Sequence, residues 1–131
     1  MNKKYGFRDH LSSEFPSQVI VDVTQFCNLA CIHCPQKDFV KSKAFTGANL
    51  KPELNKKLVD EVAADGLGIC QYLRYTGHGE TLLNPNINEI IEYACRNSKT
   101  KINITTNGML LIQEKAEKLL GFGVDVFDIS I

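Results

Sequence analysis

The segment CNLACIHCP at residues 27–35 sets Cys27, Cys31 and Cys34 at CxxxCxxC spacing, with no fourth cysteine nearby. Thiols this close together make no useful disulfide framework, and in a chain without an export signal such a cluster reads as metal-binding or catalytic. A structural zinc site wants four protein ligands, usually as two CxxC-type pairs a dozen or more residues apart. The fourth would have to be His33, Cys70 or Cys95. His33 lies between two of the thiols, and Cys70 and Cys95 fall by pattern inside a strand and a helix, so zinc fits poorly. A [4Fe-4S] cluster is held by closely spaced thiolates. If only three are supplied, one iron keeps an open position that a substrate or cofactor can take.

The elements that must position this loop follow from hydrophobic periodicity. QVIVDVT (residues 18–24) is compact and β-branched, reads as a buried strand, and runs directly into the cysteines. After a Lys- and Gly-containing loop at 36–49, Leu54, Leu58, Val59 and Val62 share a helical face, with Pro52 in the first turn and Gly66 as the stop. ICQYLRYT (69–76) predicts a second strand ending in GHGE. A second helix carries Ile87, Ile90, Ile91 and Ala94 behind Asn84 and Pro85, which suit the N-cap and first helical position. KINITTNG predicts a third strand ending at Asn107. A third helix places Ile112, Ala116, Leu119 and Leu120 on one face with Gly121 as its stop. VDVFDISI alternates as a fourth strand. This βαβαβαβ order implies a parallel sheet with right-handed crossovers, so the cysteine loop, the GHGE turn, Asn107 and Ser130 gather at the C-terminal ends of the strands, where α/β folds bind ligands. An open doubly wound sheet has the same local pattern. Because the chain stops at Ile131 in mid-strand, the sequence is expected to be the N-terminal part of a longer protein.

Composition bounds the partners. The 131 residues carry 15 basic and 15 acidic side chains, so no net field draws the chain to nucleic acid or an anionic membrane. The N-terminus has no apolar signal region, and no stretch approaches the roughly 18 apolar residues of a membrane span. The chain reads as soluble and cytoplasmic.

CNLACIHC after the first strand, YTGHGETLLNP after the second, TTNG after the third and a strand ending DISI together resemble the radical S-adenosylmethionine (radical SAM) superfamily, from about Val19 to the last residue. The resemblance implies a partial (β/α)6 TIM-like barrel of which these are the first four strands. It divides the chain into an N-terminal extension at 1–17 and an incomplete core domain at 18–131. It also implies a [4Fe-4S] cluster on Cys27, Cys31 and Cys34, and S-adenosylmethionine chelating the open iron. Reductive cleavage would give a 5′-deoxyadenosyl radical that abstracts hydrogen from a small-molecule or peptide substrate, with flavodoxin or ferredoxin as the kind of reductant implied. Gly77, His78, Gly79 and Glu80 match the turn that holds the methionine moiety, where glycine lets the backbone approach a ligand. His33 matches a position near the adenine, Ser130 a polar position near the ribose or carboxylate, and Asn107 the third-strand turn. GETLLNP and CIHCP look like members with an auxiliary-cluster (SPASM-type) domain, whose extra cysteines are absent.

The sequence departs from the family pattern where Glu80 is followed by Thr81 instead of proline, and where His78 replaces the common glycine. Cys70 and Cys95 read as small core hydrophobes. Lys37, Lys41 and Lys43 read as a solvated loop, and His10 has no assigned role. Asp125 and Asp128 lie on opposite faces of one strand and make a poor acid pair. Two other readings remain at this level. One is an iron-sulfur electron carrier without response to S-adenosylmethionine, and the other is a zinc-stabilised binding module.

Overall fold

The computed structural model describes residues 11–131; residues 1–10, with His10 and most of the expected extension, lie outside the described residues. Four strands, β1 (Gln18–Asp22), β2 (Tyr72–Thr76), β3 (Lys101–Thr106) and β4 (Val126–Ile129), form one sheet in the order β1-β2-β3-β4. All three pairings are parallel. A doubly wound sheet reverses direction at a switch point, whereas this order runs monotonically, as in a barrel wall.

Between the strands lie α1 (Gln36–Phe39), α2 (Pro52–Asp65), α3 (Ile87–Asn97) and α4 (Gln113–Phe122), with a 3-10 turn at Thr81–Leu83. Leu73, Tyr75, Ile102 and Ile104 alternate along β2 and β3 onto the helix side, where they join Val59, Ile87, Ile90, Ile91, Ala94 and Leu119 in the core. Val21 and Val23 extend that core from β1 and the residues after it. The register places Ile20, Arg74, Asn103 and Val126 in one cross-strand row on the opposite face. That face mixes the apolar Ile20 and Val126 with the polar Arg74 and Asn103, and it ends at the loops that follow the strands.

Several local expectations are corrected. Leu54 is 59% exposed, and Asn55 takes the inward position on α2. Asn55 donates to the Ile90 carbonyl at 3.0 Å and accepts the Tyr75 hydroxyl at 2.8 Å, a satisfied polar tie that an apolar-face count passes over. Asn84 is not the cap of α3, which is Asn86. The Asn84 amide instead donates to the carbonyls of Val23 and Leu50, at 2.9 and 3.0 Å, pinning the 3-10 turn to the end of β1. Gly121 lies within α4, and the stop is Gly123, whose left-handed φ of 102° a glycine adopts without steric cost. Leu120 and Ile112 are exposed, leaving Leu119 as the buried residue of that helix. The second strand begins at Tyr72, because residues 66–70 are held in a turn by Ile69 and Cys70 N–H bonds to the Gly66 carbonyl.

Candidate functional site

The cysteine loop leaves β1 through a knot of polar contacts. Thr24 donates its hydroxyl to Asn49 Oδ1 at 2.6 Å, while Gln25 Oε1 accepts the backbone N–H groups of Thr46 and Ala48 at 2.9 and 3.2 Å. The lysine-bearing loop is therefore folded back against the start of the cysteine segment, and its aromatic residues follow. Phe26 meets Phe45 edge-on, Phe45 meets Phe39 edge-on, and Phe39 stacks on His78 at 5.2 Å. This aromatic chain and the short helix α1 have no strong periodic signal and went unseen in the sequence.

The GHGE turn approaches the same segment by backbone. Glu80 N–H donates to the Phe26 carbonyl at 2.8 Å. A Cβ at Gly79 would overlap the carbonyl oxygens of Phe26 and Thr24, and one at Gly77, where φ is 132°, would overlap the Asp22 carboxylate. Both glycines are thus required by close approach. The Asp22 carboxylate caps the turn, accepting His78 N–H at 3.3 Å and lying 2.8 Å from His78 Nδ1.

Glu80 is only 3% exposed, and its carboxylate faces inward. One oxygen accepts Leu82 N–H at 3.0 Å and the Thr106 hydroxyl at 2.5 Å, and the other accepts Asn107 N–H at 2.8 Å. The Asn107 side chain continues to Asn28 Oδ1 on the cysteine loop at 2.8 Å. Three loops from three strands are therefore joined through two side chains.

A hollow of about 230 Å³ opens between them. It is lined by Cys27, Cys31 and Cys34, by His33 and Asn107, by Gly77, His78, Gly79 and Glu80, and by Ser130, together with Leu29 and the strand-end threonines Thr76, Thr105 and Thr106. All ten residues singled out from the sequence line this one space. The three cysteines are free and half-buried, on a segment whose one local backbone bond runs from Cys34 N–H to the Cys31 carbonyl. Among the described residues, no three His, Cys, Asp or Glu side chains converge closely enough to hold a metal ion. The donor set nonetheless suits a thiophilic cluster. Unpaired thiols on a loop without regular structure can be drawn together by the group they bind, since metal binding and local folding are coupled.

Cys70 and Cys95 stand apart from that hollow. Burial pushes the Cys70 thiol above its ordinary range, and burial together with the charge of Asp125 pushes Cys95 up to about 11. Both behave as neutral packing groups. Asp125 Oδ2 accepts Ile102 N–H at 2.8 Å, while Asp128 Oδ2, on the opposite face, meets Arg74 and the Asn103 amide, both at 2.9 Å. These partners are set by strand register, which single-strand patterning cannot see.

The chain is similar to known proteins in sequence and in fold. The Bacillus subtilis antilisterial bacteriocin subtilosin biosynthesis protein AlbA is 34% identical over 110 residues, covering 82% of this chain and 22% of that protein. A GTP 3′,8-cyclase of Clostridium acetobutylicum is 38% identical over 112 residues, covering 85% of this chain and 33% of the relative. The chain thus spans about a fifth to a third of the length of these relatives. The structure of BtrN in complex with AdoMet and 2-DOIA superposes with a TM-score of 0.77 over 90% of this chain and 46% of that one, at 24% identity, a likeness of fold. Four parallel strands alternating with helices in consecutive order are the shared architecture, a TIM-barrel-like one. The family model of the radical SAM superfamily matches residues 21–131, and the chain belongs to that superfamily.

Proposed function

We propose that this chain is a radical SAM enzyme, or the N-terminal part of one with residues 18–131 in its core, in which Cys27, Cys31 and Cys34 hold a [4Fe-4S] cluster. His33, Asn107, Ser130 and the turn from Gly77 to Glu80 seat S-adenosylmethionine beside it. The observation that carries this reading is the single hollow lined by all ten of these residues at the C-terminal ends of the strands. When bound, the cluster and S-adenosylmethionine supply a 5′-deoxyadenosyl radical able to take hydrogen from a small-molecule or peptide substrate. The chain's own residues do the positioning. Gly77 and Gly79 bring bare backbone to the rim, Glu80 and Asn107 fix the three loops relative to one another, and the Ser130 hydroxyl, without a hydrogen-bond partner among the described residues, lines the hollow where a ligand could bond it. Glu80 acts here as a positioning residue, since both its oxygens bond protein groups.

The test is anaerobic reconstitution with iron and sulfide, reduction, and electron paramagnetic resonance with and without S-adenosylmethionine. A [4Fe-4S]+ signal that changes on adding the cofactor is expected. Alanine at Cys27, Cys31 or Cys34 should each abolish the cluster, whereas Cys70→Ala and Cys95→Ala should leave it. Full iron content in Cys31→Ala would sink the ligand assignment, and a signal indifferent to S-adenosylmethionine would leave an electron carrier.

A further inference from the structure

The segment after the cysteines carries a local charge that the whole chain lacks. Between Cys34 and Leu50 lie three lysines, Lys37, Lys41 and Lys43, and one acidic residue, Asp38, whereas the full sequence balances at 15 basic and 15 acidic side chains. All three lysines are exposed, and none has an acidic partner among the described residues. Lys37 and Lys41 stand four residues apart across α1 and its helical C-cap Val40, a spacing at which like charges repel and cost stability. Two exposed apolar side chains, Ile32 at 93% and Val40 at 40%, flank them.

This stretch is held in shape by the chain itself. The Gln36 amide donates to the Gln25 carbonyl at 2.6 Å, the Ser42 hydroxyl donates to the Phe39 carbonyl at 2.7 Å, and Phe39 meets Phe45 edge-on at 5.8 Å. It also starts close to the thiols. Lys37 follows Cys34 by three residues, so their Cα atoms are at most about 11 Å apart. Yet Ile32, Val40 and the three lysines are all absent from the lining of the hollow that the cysteines share with the GHGE turn. The cysteine segment thus has two sides, one turned to the hollow and one to solvent.

We propose that the solvent side of this segment is the docking surface for an acidic one-electron carrier protein. Lys37, Lys41 and Lys43 face the carrier's carboxylates, and Ile32 and Val40 supply apolar contact beside them. One electron leaves the carrier's reduced centre, which is oxidised by one, and reduces the cluster by one; no bond of this chain forms or breaks. A carrier seated there leaves the hollow open to S-adenosylmethionine and substrate, which favours this occupant over a peptide substrate. Assigning electron transfer rests on the cofactor reading of the hollow; the docking rests on the charge and exposure of this surface alone.

The experiment is a nuclear magnetic resonance titration of the ¹⁵N-labelled full chain with oxidised flavodoxin, an acidic carrier, at low and high salt and without iron or S-adenosylmethionine. The backbone amides of Lys37, Val40, Lys41 and Lys43 should shift saturably, with affinity falling about tenfold at high salt. The triple variant Lys37→Gln, Lys41→Gln, Lys43→Gln should weaken binding about tenfold. A control triple, Lys57→Gln, Lys99→Gln, Lys118→Gln, removes the same charge from exposed lysines elsewhere and should leave the affinity within about twofold. In the reconstituted chain, the first triple should slow reduction by flavodoxin hydroquinone and leave reduction by dithionite unchanged. Equal weakening in the two triples, shifts confined to other faces, or no saturable binding would overturn the proposal. Because the titration contains no cluster, a signal indifferent to S-adenosylmethionine beside lysine-dependent binding would sink the cofactor reading alone. A cluster that responds to S-adenosylmethionine beside absent binding would sink this proposal alone.

Discussion

Glu80 is the residue on which the site's geometry turns. Its two carboxylate oxygens accept three hydrogen bonds in a buried setting, from Leu82, Thr106 and Asn107. Glutamine preserves the size and changes one acceptor oxygen into an NH2 donor. Whichever way that amide turns, its donor faces another donor, either Asn107 N–H or Leu82 N–H. Glu80→Gln should therefore cost about 2 kcal/mol, read as a lower urea midpoint with an unchanged slope. It should also loosen the Asn107 contact to Asn28 on the cysteine loop. The sequence offered Glu80 as part of a ligand-holding turn, and the turn was legible because glycines and a glutamate at strand ends are local features. The partners of Glu80 were not, since Thr106 lies 26 residues away and meets it only once β2 and β3 are in register. The same holds for the Arg74–Asp128 pair, which spans 54 residues.

At the scale of elements, glycine separates positions set by close approach from positions that are permissive. Gly79→Ala would drive a methyl group into two backbone carbonyls that cannot yield. A destabilisation of about 2 kcal/mol is expected, together with weakened S-adenosylmethionine binding. Gly121 lies inside α4 with open space around its Cβ direction. Gly121→Ala should raise stability by about 0.5–1 kcal/mol and leave ligand binding untouched, so thermal melts of the two variants should move in opposite directions. The contrast also shows why the end of α4 was misread. Gly121 and Gly123 are equivalent as stop signals in the sequence, and only the left-handed backbone at Gly123, with its N–H bonded to the Leu119 and Leu120 carbonyls, identifies the terminator. Strands and long helices were legible because their periods repeat over several residues. The four-residue α1 and the polar inward Asn55 were not, because each depends on contacts made across the fold.

For the whole molecule, the core sets an alkaline limit. The Cys95 thiol has an ordinary value of 9.0 and is pushed up to about 11 in the fold. Below pH 9 both folded and unfolded chains carry the neutral thiol, and its burial contributes fully to stability. Between pH 9 and 11 the unfolded chain ionises while the folded one does not, so the unfolded state gains and stability falls. Burial raises Cys70 and Tyr75 as well, with the same sign. Urea melts across pH 8 to 11 should show this decline, and Cys95→Ala should flatten part of it; an identical slope in the variant would remove Cys95 as a cause.

The bonds that join the three loops through Glu80 and Asn107 also divide the molecule by its tolerance to changes of length. At the cysteine end, a residue inserted into any one turn displaces the other two, so the spacings within CNLACIHC, GHGE and TTNG must vary together or not at all. At the far end of the sheet, the connections at 66–71 and 98–100 bond to each other through the Thr100 hydroxyl and the Cys70 carbonyl at 2.8 Å, and Gln71 N–H bonds the Ser17 carbonyl, but Gly68 there has open space around it. Insertions, affinity tags or fused domains placed at that pole would leave the pole that holds the cysteines undisturbed.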